Sequence, residues 1–339
     1  MTPGRSYIYE ITRIDLDVFN FHKIEILYEL TRIEKNFRKY SYKRCMHSDD
    51  TNLISDSAST GSSSVEDTQR IFFELASEQR LALLSKLNRQ QSNAAKVYNL
   101  SRLAKDLNVT MQEVHRNLNR LMDAGLIEKN SAGMFSLTTF GSTIINQITT
   151  FDFLSRNKEY FSTHAFGKKT PTKFIQRIGA LNNCEFISGM VAVIELWKRQ
   201  IYKQSTQYIF GMLPQIPLDL IEAVLPKIKE LGGIKFSYIL PQKAMVPRKR
   251  ADLLKSAGYH EFIKKGIVER RMVDRIEIAT VLNEKQATVM FPTVRPDGET
   301  DMNSAFFSED PLFHEWCLDF FKYSWYNSKS FDESKLLEV

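Results

Sequence analysis

Cysteine is scarce in this chain of 339 residues. Its three cysteines, Cys45, Cys184 and Cys317, lie far apart and form no C-x-x-C pair. Closely spaced thiolates are typical of zinc sites, and conserved pairs are typical of a disulfide framework in secreted proteins. We therefore expect neither a structural zinc nor disulfides, and the composition fits a reducing cytoplasm.

Long apolar runs are also missing. The run from Ile187 to Trp197 is interrupted by Glu195, and the next apolar stretch contains Pro214 and Pro217. A membrane-spanning helix needs about 18 consecutive apolar residues. The opening MTPGRSYIYE lacks the pattern of a signal peptide. We therefore expect no membrane partner.

The excess of positive charge is small. The chain has 46 basic and 40 acidic residues, a net charge of +6, and 43% of its residues are hydrophobic. Such a surplus permits binding to nucleic acid without requiring it. The length is enough for two globular domains with their own cores.

The clearest local pattern lies between Asn99 and Thr139. Ser101 is placed to cap a first short helix, and Thr110 with Glu113 has the spacing of a capping box that starts a second one. Gly125 ends the second helix, whose buried stripe we expect to comprise Met111, Val114, Leu118, Leu121 and Met122.

Two short strands are predicted to follow, Leu126 to Asn130 and Met134 to Thr138, joined by a turn in which Gly133 can take a positive φ. The order of two helices and a hairpin is typical of a winged helix.

The second helix of this stretch carries polar side chains on its outer face. Long side chains with several hydrogen-bond donors suit insertion into a DNA major groove. The residues expected to read base edges are Gln112, Arg116, Asn119 and Arg120. The residues expected to contact the DNA backbone are Arg102, Lys105, Thr110, His115 and Lys129. Two alternatives remain: a solvated helix face, and a winged helix that binds another protein.

The same residues resemble a known family. Leu103 to Leu107, Val114 to Leu121, Gly125 to Ile127 and the closing LTTFG at 137–141 are similar to winged-helix regulators of bacteria and archaea, of the multiple-antibiotic-resistance and arsenic-repressor type. The resemblance implies a transcription regulator that binds double-stranded DNA.

Composition divides the chain further. We expect an N-terminal extension with a flexible Ser-rich linker at 1–64, a winged helix at 65–141, a connecting helix at 142–163, an α/β domain at 164–331 and a tail at 332–339. The connecting helix carries an apolar stripe that predicts a homodimer: Ile144, Ile145, Ile148, Phe151 and Leu154.

The second half alternates between helical and strand-like periods, which predicts an α/β fold with a largely parallel, mixed sheet. We expect an antiparallel pair at Arg275 to Val281 and Ala287 to Phe291, and a closing aromatic helix from Phe306 to Tyr326.

This half resembles the middle, or effector, domain of archaeal methanogenesis regulatory proteins. The likeness rests on LGGIKFSYILP, ATVMFPTVRPDGETDMNSAFFSEDP and FHEWCLDFFKYSW. The sheet pattern is also similar to the phospholipase D-like domains of archaeal sugar-responsive regulators. The resemblance implies an archaeal regulator whose second half senses an effector or sets assembly.

Motifs for chemistry are absent from the sequence. None of the six histidines belongs to an H-x-K or H-E-x-x-H pattern, and GKKT at 167–170 lacks the preceding glycine of a phosphate loop. We therefore expect no enzyme, no cofactor and no metal, with a cryptic phosphodiesterase as the alternative. The basic run Arg248, Lys249 and Arg250 is a solvated face, a site for an anionic small-molecule effector or an additional contact to the DNA backbone.

Overall fold

A computed structural model describes residues 60–91, 98–229, 234–295 and 298–339. The chain divides into two units, Met1–Val65 and Glu66–Val339. The predicted N-terminal extension and most of the Ser-rich linker lie outside the described residues. The predicted domain boundaries within the second unit stay a prediction.

The part of the chain from Thr60 to Arg156 is mainly helical. Helix α1 spans Thr60–Leu75, α2 Glu78–Gln91, α3 Leu100–Leu107, α4 Met111–Asp123 and α5 Thr139–Arg156. Strands β1 (Ile127–Lys129) and β2 (Phe135–Leu137) pair antiparallel between α4 and α5.

The cap of α3 differs from the prediction. Asn99, rather than Ser101, is the N-cap residue, and its Oδ1 accepts the backbone N–H of Arg102 at 2.9 Å. Ser101 lies inside the first turn. Both residue types can cap a helix, and the helix simply starts two residues earlier than the spacing suggested.

The second half contains short helices and most of the strands. Its helices are α6 Lys158–Thr163, α7 Thr172–Gln176, α8 Met190–Leu196 with a π-helical continuation Trp197–Tyr202, α9 Leu218–Lys229, α10 Lys249–Ser256, α11 Tyr259–Lys264 and α12 Pro311–Tyr326. Short 3-10 segments span Ile178–Leu181 and Glu333–Lys335.

The strands are β3 Glu185–Ser188, β4 Tyr208–Met212, β5 Lys235–Pro241, β6 Met245–Val246, β7 Val268–Val273, β8 Ala279–Asn283, β9 Ala287–Met290, β10 Ser304–Ser308, β11 Lys329–Ser330 and β12 Leu337–Glu338. Eight of them form one sheet in the order β11-β7-β5-β4-β8-β9-β10-β3. The second half therefore has the α/β character and the mixed sheet that the sequence predicts.

The sheet is less parallel than expected. Only the pairs β4–β5 and β5–β7 are parallel, and the remaining pairs of the large sheet are antiparallel. The tight connection from β8 to β9 is a hairpin, which enforces antiparallel pairing, whereas a helix such as α9 allows the parallel crossover from β4 to β5.

Two predicted boundaries in this half are wrong, although the predicted antiparallel pair itself forms as β8 and β9. Phe306 lies in β10 and not in the closing helix, which begins at Pro311 after the cap residue Asp310. The antiparallel pair begins at Ala279 rather than Arg275. In the first case an apolar aromatic run fits a buried strand as well as a helix, so periodicity alone does not separate them.

The buried apolar side chains form two clusters. One comprises residues between Leu83 and Ile145, and the other residues between Phe153 and Phe321. Helix α5 contributes to both, with Ile145 in the first cluster and Phe153 in the second. Within the part of the chain that the structure describes, no helix is long and apolar enough to cross a bilayer.

Candidate nucleic-acid interface

Helix α4 presents one polar face to solvent. Its N-cap Thr110 accepts the backbone N–H of Glu113 at 3.2 Å, which orients the first turn. Gln112 and Arg116 are exposed on the outer face of this helix. Their long side chains are available to a partner that approaches this face.

The opposite face of α4 is fixed by apolar and polar contacts. Val114, Leu118 and Leu121 are buried. Below them, Asn117 donates to Gln79 at 2.8 Å, and Gln79 donates to Glu113 at 2.8 Å. The side chain of Glu113 therefore binds α2 instead of returning to its own helix start, so only half of the predicted capping box forms. Helix α4 is held to α2 by these hydrogen bonds.

Arg120 forms an ion pair with another part of the same chain. Its guanidinium donates to both carboxylate oxygens of Glu74, from Nε at 3.1 Å and from Nη2 at 2.7 Å, and lies over the Phe73 ring. The hydrogen bond to Glu74 raises the pKa of Arg120 above its ordinary value. The guanidinium of Arg120 thus ties α4 to α1, and this contact argues against the predicted base-reading role of Arg120.

Glu74 also binds a second arginine. It is 6% exposed, and its Oε2 lies 3.0 Å from Nε of Arg80. Arg80 donates further to the backbone carbonyls of Glu74 and Phe73. Burial lowers the pKa of Arg80, and the charge of Glu74 opposes that shift. Sequence spacing gave no sign of this cluster, because its members come from three different helices.

Two further residues of α4 contact each other. The Asn119 amide donates to Nδ1 of His115 at 3.4 Å, and Asn119 is half-buried while His115 is exposed. This weak contact lies on the flank of the face that carries Arg116. Both side chains can reorient toward a ligand at small cost, because the hydrogen bond is long.

Three of the residues predicted to contact the DNA backbone lie on the elements next to α4 in the chain. Arg102 and Lys105 are exposed on α3, and the Arg102 guanidinium lies over the Tyr98 ring. Lys129 is exposed on β1, with its Nζ 5.6 Å from the centre of the Phe135 ring. The β1–β2 turn is closed by Asn130, whose Oδ1 accepts the N–H groups of residues 132 and 134. Exposed cations therefore lie on the elements that precede and follow α4 in the chain.

The basic run of the second half is divided between solvent and interior. Arg248 and Lys249 are exposed, but Arg250 is only 5% exposed and donates to Glu333 at 2.9 Å. The interpretation of all three as one solvated face is therefore wrong for Arg250. Its burial results from helix α10, which turns Arg250 inward.

A second polar cluster surrounds Asp301. Its carboxylate accepts hydrogen bonds from Ser304 at 2.5 Å and from the Asn303 backbone at 2.9 Å, and lies 3.2 Å from Nε2 of His164. Burial acts to raise the pKa of Asp301, but these hydrogen bonds lower it below its ordinary value overall. His164 stacks on Tyr160 with the ring centres 3.8 Å apart. These contacts tie the end of helix α6 to the start of strand β10.

No group of acidic, histidine or cysteine side chains among the described residues could hold a metal ion. That finding covers residues 60–91, 98–229, 234–295 and 298–339.

Comparisons with known proteins give structural likenesses only. No family model matches the chain, and no curated protein matches it. A structure of TrmBL2, described as an archaeal chromatin protein with a novel mode of DNA binding, is 14% identical, covers 80% of this chain and 100% of its own, and gives a TM-score of 0.34. ZitR of Lactococcus lactis is 15% identical, with 44% and 90% covered and a TM-score of 0.20.

Enzymes also occur among the similar structures. Human N-acetylserotonin methyltransferase in complex with SAM is 12% identical, with 65% of this chain and 68% of that chain covered and a TM-score of 0.24. Other methyltransferases give similar scores. The expectation that this chain is not an enzyme is contradicted by these structures, and we withdraw it. Every identity is below 25% and every TM-score below 0.5, so these likenesses assign no activity.

Proposed function

We propose that the chain is a DNA-binding transcription regulator, in which residues 65–141 act as a winged helix. The observation that carries the proposal is the outer face of α4, where Gln112 and Arg116 are exposed on a helix fixed from behind by α2. A helix of this kind, second in a helix-turn-helix and followed by a hairpin, is suited to the major groove.

The proposed contacts divide into two classes. Gln112, Arg116 and Asn119 read base edges, because their side chains offer the paired donors and acceptors that distinguish base pairs. Arg102, Lys105, Thr110, His115 and Lys129 contact phosphates, which supply affinity without sequence preference.

The test is the selection of bound duplexes from a random pool, followed by measurements on variants. Arg116→Ala should lower the preference for the selected site over a one-base mismatch by about 1 to 3 kcal/mol. Lys129→Ala should weaken binding to all duplexes alike and reduce the slope of log affinity against log salt by about 1.

Arg199→Ala is the matched control, because it removes one cation that is 79% exposed in the other half of the chain. Unchanged preference in Arg116→Ala would refute the base-reading role. A folded protein that selects no duplex and shows no salt-dependent DNA binding would instead favour a winged helix that binds proteins.

We also propose that the regulator is a homodimer formed through α1 and α5. A groove of about 350 Å³ runs between these helices and is lined by Ile71, Phe72, Leu75, Phe140, Ile144, Ile148 and Phe151 among others. Phe72 and Phe151 are 55% and 54% exposed, and their rings meet edge to face. Contiguous exposed apolar surface of this kind is typical of interaction sites. A two-fold dimer would read two half-sites about 34 Å apart.

We assign the role of effector binding or assembly to the α/β half. The proposed protein is thus a cytoplasmic regulator of the archaeal type, in which a second domain adjusts the activity of the DNA-binding half.

A further inference from the structure

A cleft lies at the carboxyl ends of the parallel strands β4, β5 and β7. It has a volume of about 450 Å³. Its wall includes residues just beyond the end of each strand: Pro214 and Gln215 after β4, Gln242 and Lys243 after β5, and Asp274 and Arg275 after β7. In open α/β sheets, ligands bind outside the carboxyl ends of the strands, and small-molecule pockets measure about 300 to 1,000 Å³. Position and volume therefore suit a small-molecule site.

One residue of the cleft wall, Lys243, has a strained backbone. Its φ is 65°, in the left-handed region. It lies in a tight turn that the N–H of Ala244 closes by donating to the Pro241 carbonyl at 3.2 Å. Such a turn position favours glycine, because a side chain is strained there. Strain of this kind is concentrated at ligand-binding sites, so it favours a functional role for the lysine side chain.

The second cation of the cleft wall is Arg275. Its side chain is exposed, and its Nη2 lies 3.4 Å from the point that a Cβ on Gly298 would occupy. The guanidinium is therefore next to the segment that also contributes Glu299 to the cleft. Among residues 60–91, 98–229, 234–295 and 298–339, neither Lys243 nor Arg275 forms an ion pair. Both positive charges are available to a ligand.

Two carboxylates also line the cleft, and one of them is neutralised. Asp274 accepts from Nζ of Lys329 at 2.9 Å and from Nε2 of Gln242 at 3.2 Å. The hydrogen bond from Lys329 lowers the pKa of Asp274 below its ordinary value. The second carboxylate, Glu299, is exposed and forms no ion pair within the described part of the chain. Two cations and one anion of the cleft thus have no counter-ion.

We propose that this cleft binds an acidic amino acid, glutamate or aspartate. Lys243 and Arg275 bind its two carboxylates, and Glu299 binds its ammonium group. At neutral pH these amino acids carry two negative charges and one positive charge, which complement the three unpaired groups of the cleft. Lysine and arginine bind carboxylates through charge-assisted hydrogen bonds. The inference deepens the effector role proposed for the α/β half and rests on it.

The test is titration calorimetry of the full chain with L-glutamate and L-aspartate as probes. We expect one of them to bind. Its amide, glutamine or asparagine, should bind at least ten-fold more weakly, because one carboxylate is lost. Its analogue without the ammonium group, glutarate or succinate, and inorganic phosphate should also bind at least ten-fold more weakly, because Glu299 then repels the anion.

Variants separate the contributions of the three groups. Lys243→Gly removes the cation and relieves the left-handed strain, so it should weaken binding at least ten-fold without lowering the urea midpoint of unfolding. Arg275→Gln should weaken binding at least ten-fold. Glu299→Gln should abolish the preference for the amino acid over glutarate or succinate. Lys265→Gln is the control, because it removes an exposed cation outside the cleft wall and should change binding less than two-fold.

Absence of binding of both amino acids to the unchanged chain overturns the proposal. Equal binding of the amide or of the analogue without the ammonium group, tighter binding of phosphate, or unchanged binding to folded Lys243→Gly overturns it as well. Duplex binding of the same samples is measured without amino acid. Retained DNA binding with no amino-acid binding refutes the cleft site alone, and the reverse result refutes DNA recognition alone.

Discussion

The single carboxylate of Glu74 forms ion pairs with two arginines, Arg80 and Arg120, which lie on two other helices. Its removal would leave Arg80 buried with only its backbone acceptors, and would release Arg120, whose side chain is 41% exposed. A buried charge that loses its partner is strongly destabilising, but the exposure of Arg120 and the remaining bonds of Arg80 reduce the effect.

We expect Glu74→Gln to lower the free energy of unfolding by about 1 to 3 kcal/mol, measured by urea denaturation. Glu78→Gln is the control, since it removes an exposed carboxylate four residues away and should stay within about 0.5 kcal/mol. Equal effects of the two substitutions would show that the carboxylate of Glu74 contributes nothing specific.

Glu333 makes the stability of the chain depend on pH. Burial acts to raise its pKa, but the hydrogen bond and charge of Arg250, with the charge of Arg270, lower the pKa below the ordinary value of 4.5 overall. The ion pairs therefore stabilise the folded state fully above that value and are lost as the pH falls through the lower folded-state pKa.

We expect Glu333→Gln to show a smaller loss of stability on acidification than the unchanged chain, in denaturation curves from pH 7 down to about 3. Glu338→Gln, which removes an exposed carboxylate of β12, should follow the unchanged chain. Parallel curves for all three proteins would contradict the role of Glu333.

At the scale of elements, the two ends of α4 were predictable from the sequence, whereas the contacts between different helices were not. Thr110 and Gly125 mark the ends of α4 in the sequence, because capping and left-handed backbone conformations are local requirements. The Arg120–Glu74 pair depends on how α1 packs against α4, and no spacing along the chain encodes it. For the same reason Arg250 could be recognised as a cation, but not as a buried one.

Strand β7 was missed altogether for a related reason. Its sequence VERRMV places two arginines inside a strand, and local polarity argues against a buried element. In the structure Arg270 and Arg271 lie over the rings of Phe331 and Trp325. Aromatic residues distant in sequence thus cover the charged side chains and permit the strand.

The cap of α4 gives a prediction at this scale. Thr110→Ala removes the acceptor of the Glu113 N–H and should lower the free energy of unfolding by about 1 kcal/mol. Thr143→Ala is the control, because the Thr143 hydroxyl only donates to a carbonyl of its own helix and its loss should be nearly neutral. Thermal or urea denaturation measures both, and a neutral Thr110→Ala would mean that the cap adds no stability.

At the scale of the whole molecule, the groove between α1 and α5 predicts the oligomeric state. Phe151→Glu places a charge among apolar side chains that a second copy would bury, and should convert a dimer to a monomer. Size-exclusion chromatography with light scattering at micromolar concentration measures the change. Leu312→Glu is the control, since Leu312 is 61% exposed in the other half of the chain.

A monomeric unchanged chain would contradict the dimer. If deletion of residues 1–59 then produced a dimer, the N-terminal segment would be identified as the occupant of the groove. Neither result would change how α4 recognises DNA. A monomer would contact one half-site instead of two.

Helix α5 limits how the chain can be dissected. It starts at Thr139, so the predicted boundary after Gly141 lies inside it, and a Cβ on Gly141 would come within 1.8 Å of the Leu126 carbonyl oxygen. A fragment that ended at 141 would lose Ile145 from the first core, and one that began at 164 would lose Phe153 from the second. Neither half is therefore expected to melt independently, and calorimetry of the intact chain should give one cooperative transition in which both cores unfold together.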